Sequence, residues 1–360
     1  MRAESYRVGC EADLRPMPRV LFLTSPHEDY LADSLLHGLR TLLGADVVDF
    51  PKAEFLYDSY PVARRGDLYG RGFTLYGLLA DEPIDRERAL EHALDGDYEL
   101  IVFADIWNTF PRFAELAPSL RGVPMAVLDG ADHQAPYPYA PHWWRRPAGC
   151  VLPRAHTRAI YFKRELTPIT GWFRSYLLLA PTLARRLPSI TAMREISFSI
   201  PAEKVLSTPP TCKQRSLARH VVDREVAARV GSDTAYAFSD EAAYYADLRS
   251  ARFGITVKRA GWDCLRHYEQ AGNGCVPCFR NLHRKPPRCA PHGLDDSNCV
   301  RYHDFDDLMH RLEAIDDTRY SALQAGALAW ARANTTVRRA EQFLADCGFA
   351  GAETPSPTGR

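Results

Sequence analysis

Residues 244–279 read YYADLRSARFGITVKRAGWDCLRHYEQAGNGCVPCF. The order predicts a short helix, a buried strand over Phe253 to Val257, a glycine-containing turn, a second helix, and a second buried strand over Cys275 to Phe279. The middle helix is expected to open at Gly261. It carries Arg266 and Glu269 at a spacing that projects both from nearly one face. A helix N-terminus preceded by Lys258, Arg259 and Gly261 suits a phosphate, because free backbone N–H groups, the helix dipole and two cations all favour an anion. Glu269, further along, is an acceptor suited to ribose hydroxyls. The same Arg266–Glu269 spacing also suits a solvated salt bridge on a plain βαβ unit.

Ser250, Phe253, Gly254, Gly261, Arg266, Glu269, Gly274, Val276 and Pro277 carry a resemblance. In these residues the chain resembles the donor-binding half of nucleotide-sugar glycosyltransferases of the GT-B fold, and is most similar to exostosin-type and related bacterial glycosyltransferases. About a third of the chain carries the likeness well, the N-terminal half only loosely. It implies an α/β protein with two Rossmann-like domains facing across a cleft and a C-terminal helix that returns to the N-terminal domain. It also implies a nucleotide-sugar donor, an acceptor hydroxyl, and catalysis without metal or other cofactor. The acceptor class (glycan, lipid-linked or small molecule), the sugar and the stereochemistry stay open.

The chain has 360 residues, 46% hydrophobic and 25% charged, which suits a two-domain globular enzyme. Lys plus Arg and Asp plus Glu each number 45, giving zero formal net charge and no general attraction to nucleic acid or an anionic membrane. The opening MRAESYRVGCEADLRPMPRVLFLTS lacks the shape of a signal peptide, and no run reaches the roughly 20 apolar residues of a membrane span. A cytoplasmic location is expected. That departs from animal exostosin-type enzymes, which are membrane-anchored in the secretory pathway. Nine cysteines without a secretory signal read as reduced thiols. Cys275, Cys278, Cys289 and Cys299, with His283 and His292 between them, offer an alternative: a non-catalytic GT-B-like binding protein with a structural zinc. Against it, Cys275 and Cys278 on a strand point to opposite faces.

Working outward, RVLFLT (19–24) predicts a parallel strand buried on both faces, followed by the SPHEDY turn with Asp29 or Ser25 as a helix cap. Leu31, Leu35, Leu36 and Leu39 recur at helical spacing up to Gly44, and DVVDF (46–50) is the next strand. Residues 51–83 predict a loop or flap near the inter-domain cleft. Leu90–Leu94 predicts a helix; LIVFA (100–104), PMAVL (124–128) and 149–153 predict further strands, and 159–166 a strand or turn that delivers Lys163, Arg164 and Glu165. Residues 215–230 look helical, as do 304–315, 320–334 and 337–349. The expected division is a polar tail at 1–18, an acceptor domain with linker at 19–201, a donor domain at 202–325, terminal helices at 326–349 and a disordered tail at 350–360.

Ligands of open α/β sheets bind beyond the carboxyl ends of the strands. That rule selects His27, Glu28 and Asp29, then Asp105, Trp107 and Asn108, then Asp129, Asp132 and His133. His27 is the first choice of general base, since imidazole titrates near working pH. Asp132 and His133 form the rival pair. Lys163 and Arg164 suit a leaving diphosphate, or a solvated basic surface. Lys213 and Arg215 are weaker cations of the same kind. Tyr137, Tyr139, Trp143 and Trp144 suit stacking on a sugar, or packing of their own loop. No Walker, G-x-G-x-x-G, G-x-S-x-G or H-E-x-x-H element is present, and D-x-D is absent as a plausible strand-end element.

Overall fold

The computed structural model describes residues 17–137, 159–167, 193–232 and 234–349. The expected strand at 149–153 and the residues Tyr139, Trp143 and Trp144 lie outside them.

Four apolar runs build most of the first sheet. Strand β1 (Val20–Leu23), β2 (Val47–Phe50), β3 (Leu100–Phe103), β4 (Met125–Asp129), β5 (Ala159–Lys163) and β6 (Met193–Glu195) align parallel in the order β2-β1-β3-β4-β5-β6. Continuous Val, Leu, Ile and Phe runs are buried on both faces, as parallel strands covered by helices must be. Order reverses between the neighbouring interior strands β1 and β3, so the crevice beyond their carboxyl ends is the topological switch point. The helices of this half are α1 (Tyr30–Leu43), α2 (Val62–Arg65), α3 (Ala89–Asp95) and α4 (Ile106–Leu116).

The second sheet holds β7 (Arg215–Leu217), β8 (Ala251–Val257), β9 (Val276–Arg280) and β10 (Val300–Tyr302), all parallel, in the order β10-β9-β8-β7. Its helices are α5 (Arg224–Arg229), α6 (Glu241–Ser250), α7 (Leu265–Gly272), α8 (Phe305–Glu313), α9 (Asp317–Ala333) and α10 (Thr336–Asp346). The expected helix over 215–230 is corrected here. Arg215 and Leu217 pair with Ala251 and Phe253 as a strand, and α5 starts only at Arg224, where Asp223 accepts from the amides of Glu225 and Val226.

The last helix crosses back to the first sheet. Helix α10 packs on α1 so closely that a Cβ on Gly38 would stand 2.0 Å from the Thr336 carbonyl oxygen. His37 and Thr336 share a hydrogen bond of 3.0 Å, and Phe343 meets Phe162 of β5 at 4.7 Å. One apolar core therefore runs from Val20, Leu35 and Phe162 through Tyr268 and Trp330 to Phe343, binding the two halves. The chain has the GT-B-like architecture: two Rossmann-like domains across a cleft, with a returning C-terminal helix. Among the described residues no helix is long and apolar enough to cross a membrane.

Candidate functional site

The carboxyl ends of both sheets face one cleft. On the first side, the chain leaves β1 into His27, Glu28 and Asp29. Asp29 caps α1 by accepting from the Ala32 amide at 2.8 Å, and Asp33 accepts from the Asp29 amide at 3.0 Å, a reciprocal cap. A Cβ on Gly130, just past β4, would come within 3.0 Å of the Asp29 carboxylate. Asp105, just past β3, holds a left-handed backbone (φ 45) and bonds Asn108. Burial pushes the Asp29 carboxyl up to about 6, with the charge of Asp105 adding and the Ala32 amide and Arg164 opposing. Burial likewise raises Asp105, against Asn108 and the neighbouring His27. His27 itself is exposed on its loop.

The rival base is otherwise engaged. Asp132 bonds the Arg164 guanidinium, while His133 packs edge-on against Trp107 at 5.0 Å, and burial lowers its pKa, helped by Lys163. Tyr137 is buried against Trp107 and Phe110 of α4, so its ring packs the first domain rather than offering a free face.

Lys163 and Arg164 are neither a solvated surface nor open cations. Lys163 is buried and bonds Asp129 at 2.9 Å. Buried Arg164 bonds Asp132, Glu165, the Gly130 carbonyl and, across the cleft, the Asp263 carbonyl at 3.1 Å. Glu165 accepts from the Trp262 amide at 2.7 Å. A Cβ on Gly261 would stand within 2.8 Å of the side-chain ends of Asp132, Glu165 and Arg164, so any larger residue would displace this cluster. Lys213 donates to the carbonyls of Arg249 and Gly274.

On the second side, the helix begins at Leu265 with Cys264 as its N-cap, not at Gly261. Asp263 explains the delay. Its buried carboxylate accepts from the Phe198 amide at 2.8 Å, the Tyr268 hydroxyl at 3.0 Å and the Cys264 amide at 3.1 Å, which holds 261–264 as a loop. Lys258 and Arg259 stand exposed at its start.

The Arg266–Glu269 pair is not a solvated salt bridge either. Both residues are buried, at 8% and 5% exposure. Glu269 accepts from Thr74 at 2.5 Å and Tyr244 at 2.8 Å. Burial raises its pKa, opposed by those bonds and by Arg266. Arg266 keeps Nη1 buried with no hydrogen-bond partner. Its charge reaches His220, whose pKa is pushed down to about 4 by burial first and Arg266 second. Tyr236, Cys264 and Tyr244 share the same surroundings. Tyr30, at the start of α1, feels Glu269 from across the cleft.

The sequence reading missed Thr74, Tyr236 and Tyr244 as neighbours of Glu269. Nothing in local spacing signals a partner 195 positions away. The zinc alternative is not favoured. Cys275, Cys278 and Cys299 lie in three separate apolar clusters, Cys289 donates to Glu165, and no group of three or more His, Cys, Asp or Glu among the described residues is arranged to hold a metal ion.

No family profile and no curated protein matches the chain. Among solved structures, Anabaena HepE in complex with UDP and glucose aligns over 91% of this chain and 98% of its own, at 10% identity and a TM-score of 0.48. The same protein in complex with UDP gives 90%, 98%, 10% and 0.49. Sucrose-phosphate synthase from Thermosynechococcus elongatus aligns over 90% and 97%, at 12% identity and a TM-score of 0.46.

Proposed function

We infer that this chain moves a sugar from a nucleotide-sugar donor to an acceptor hydroxyl. The observation that carries the reading is Arg266: a buried guanidinium nitrogen without a partner, in the first turn of α7, beyond the carboxyl end of β8. A buried cation left short of an acceptor is costly unless an anion completes it. The N–H groups that open α7 favour the same anion. The donor diphosphate lies there, with Arg259 and Lys258 at the mouth and Glu269 reaching the ribose hydroxyls.

The acceptor lies opposite, at the switch point between β1 and β3. His27 takes the proton of the acceptor hydroxyl, with Asp105 beside it to stabilise the imidazolium. The hydroxyl oxygen attacks the anomeric carbon. The bond from that carbon to the diphosphate breaks, and the electron pair leaves with the nucleoside diphosphate, whose charge Arg266 and the α7 amides stabilise. Arg164 serves as a positioning residue, holding the Gly130 and Asp263 backbones across the cleft. No step is assigned to a metal ion.

A screen of nucleotide-sugars for slow donor hydrolysis tests the reading. Release of the nucleoside diphosphate from at least one donor is expected, and it should be lost in Arg266→Ala. No release from any donor, with a folded protein, would contradict it.

A further inference from the structure

The donor side of the cleft already holds a segment of the chain. Phe73 and Thr74 belong to the 51–83 excursion between β2 and β3 of the first domain, yet both are buried inside the second. The Phe73 ring lies nearly parallel to Tyr244, at 6.1 Å and 23°, and beside Tyr236 at 5.9 Å. It joins the apolar cluster of Phe238, Tyr245 and Leu248. The Thr74 amide donates to Glu241 at 2.6 Å, and its hydroxyl donates to Glu269 at 2.5 Å while lying 2.8 Å from the Tyr245 hydroxyl.

Thr74 makes these contacts at φ 74, in the left-handed region that β-branched residues rarely occupy. Gly70, Gly72 and Gly77 on either side also take positive φ. A strained residue held by several cross-domain contacts, flanked by glycines, is a segment with another conformation within reach.

Its chemistry matches half of a ligand. A flat ring stacked on Tyr244 and tilted against Tyr236, followed by a hydroxyl on a buried carboxylate, reproduces what a base and its ribose would offer. What it lacks is an anion, and Arg266, whose charge is felt by both Tyr236 and Tyr244, is the group left without a partner. We propose that Phe73–Thr74 is a resident stand-in for the nucleoside of the donor, with its ring in the place of the base on Tyr236 and Tyr244 and its hydroxyl in the place of the ribose on Glu269. Nucleotide binding then requires the segment to withdraw. This rests on the donor reading above and adds to it the stacking residues and a built-in competitor.

Two experiments on the full chain test it, with UDP, ADP and GDP as probes. The first places 4-fluorophenylalanine at position 73 and follows its fluorine resonance. Saturation with the nucleotide that binds should move the resonance from its stacked, buried position toward that of a solvated ring. The second is Thr74→Val, which removes the hydroxyl but keeps the strain. Loss of its hydrogen bonds should tighten nucleotide binding about tenfold. Binding without any movement of the fluorine signal, or with unchanged or weaker affinity in Thr74→Val, overturns the stand-in and leaves the donor reading intact. Absence of binding by all three nucleotides to both proteins overturns the two together.

Discussion

In the proposed transfer His27 and Arg266 divide the work, one imidazole exposed on the first domain and one guanidinium buried in the second. His27→Ala should lower turnover by about 10²–10⁴-fold, the usual worth of a general base, while nucleotide affinity measured by calorimetry stays near that of the wild type. If turnover survives in His27→Ala and falls in Asp132→Ala, the base is Asp132. That outcome would mean the Arg164 pair opens during the reaction. Glu269 shows the limit of reading single residues from spacing. Its place on the same helix face as Arg266 was legible. Its burial, and the hydroxyls of Thr74 and Tyr244 upon it, depend on chain distant in sequence. It is therefore a buried, satisfied carboxylate rather than a surface one, and Glu269→Ala should lower the melting temperature as well as nucleotide affinity. A loss of affinity with no change in melting temperature would contradict the contacts described.

Helix α1 illustrates an element that announces itself. Leucines at helical spacing, a capping Asp29 and a terminal Gly44 are all in the sequence, and the helix runs between them. Asp29 also carries a pH signature. Its carboxyl rises in the folded protein from an ordinary 3.8 to about 6, mainly by burial. The fold thus holds the Asp29 proton more tightly than the unfolded chain does. That contribution is complete below pH 3.8 and is lost as pH rises through about 6. Asp29→Asn keeps a cap but not the charge, so its stability relative to wild type should improve between pH 4 and 7. A constant difference across that range, in denaturant titrations, would rule this out.

Helix α10 makes the opposite point, since its docking depends on a glycine that reads as a flaw. Gly38→Ala would ordinarily stabilise a helix by about 1 kcal/mol. Here the added Cβ meets the Thr336 carbonyl, so the substitution should instead destabilise the protein by about 1–3 kcal/mol in chemical denaturation. Strand β7 was illegible for a different reason. Three half-exposed or exposed residues, Arg215, Ser216 and Leu217, carry no alternation long enough to compete with the helical look of 224–229. The start of α7 was displaced because Asp263 finds its partners at Phe198 and Tyr268 rather than as a helix cap.

At the scale of the whole molecule, the parallel sheets and their connecting helices follow from apolar runs that any reading of the chain can find. The cleft does not, because it is made by pairs that cross it: Arg164 with Asp263, Glu165 with Trp262, Thr74 with Glu269. These contacts bring the switch point of one sheet to face the α7 N-terminus of the other. The proposed transfer requires that an anionic nucleotide complete Arg266. Calorimetric titration of nucleoside diphosphates into wild type and Arg266→Ala tests this most directly. At least one should bind the wild type, with affinity falling about tenfold or more in the variant, the worth of a hydrogen bond to a charged group. Equal affinity for wild type and a folded Arg266→Ala, or no binding to either, would contradict the account.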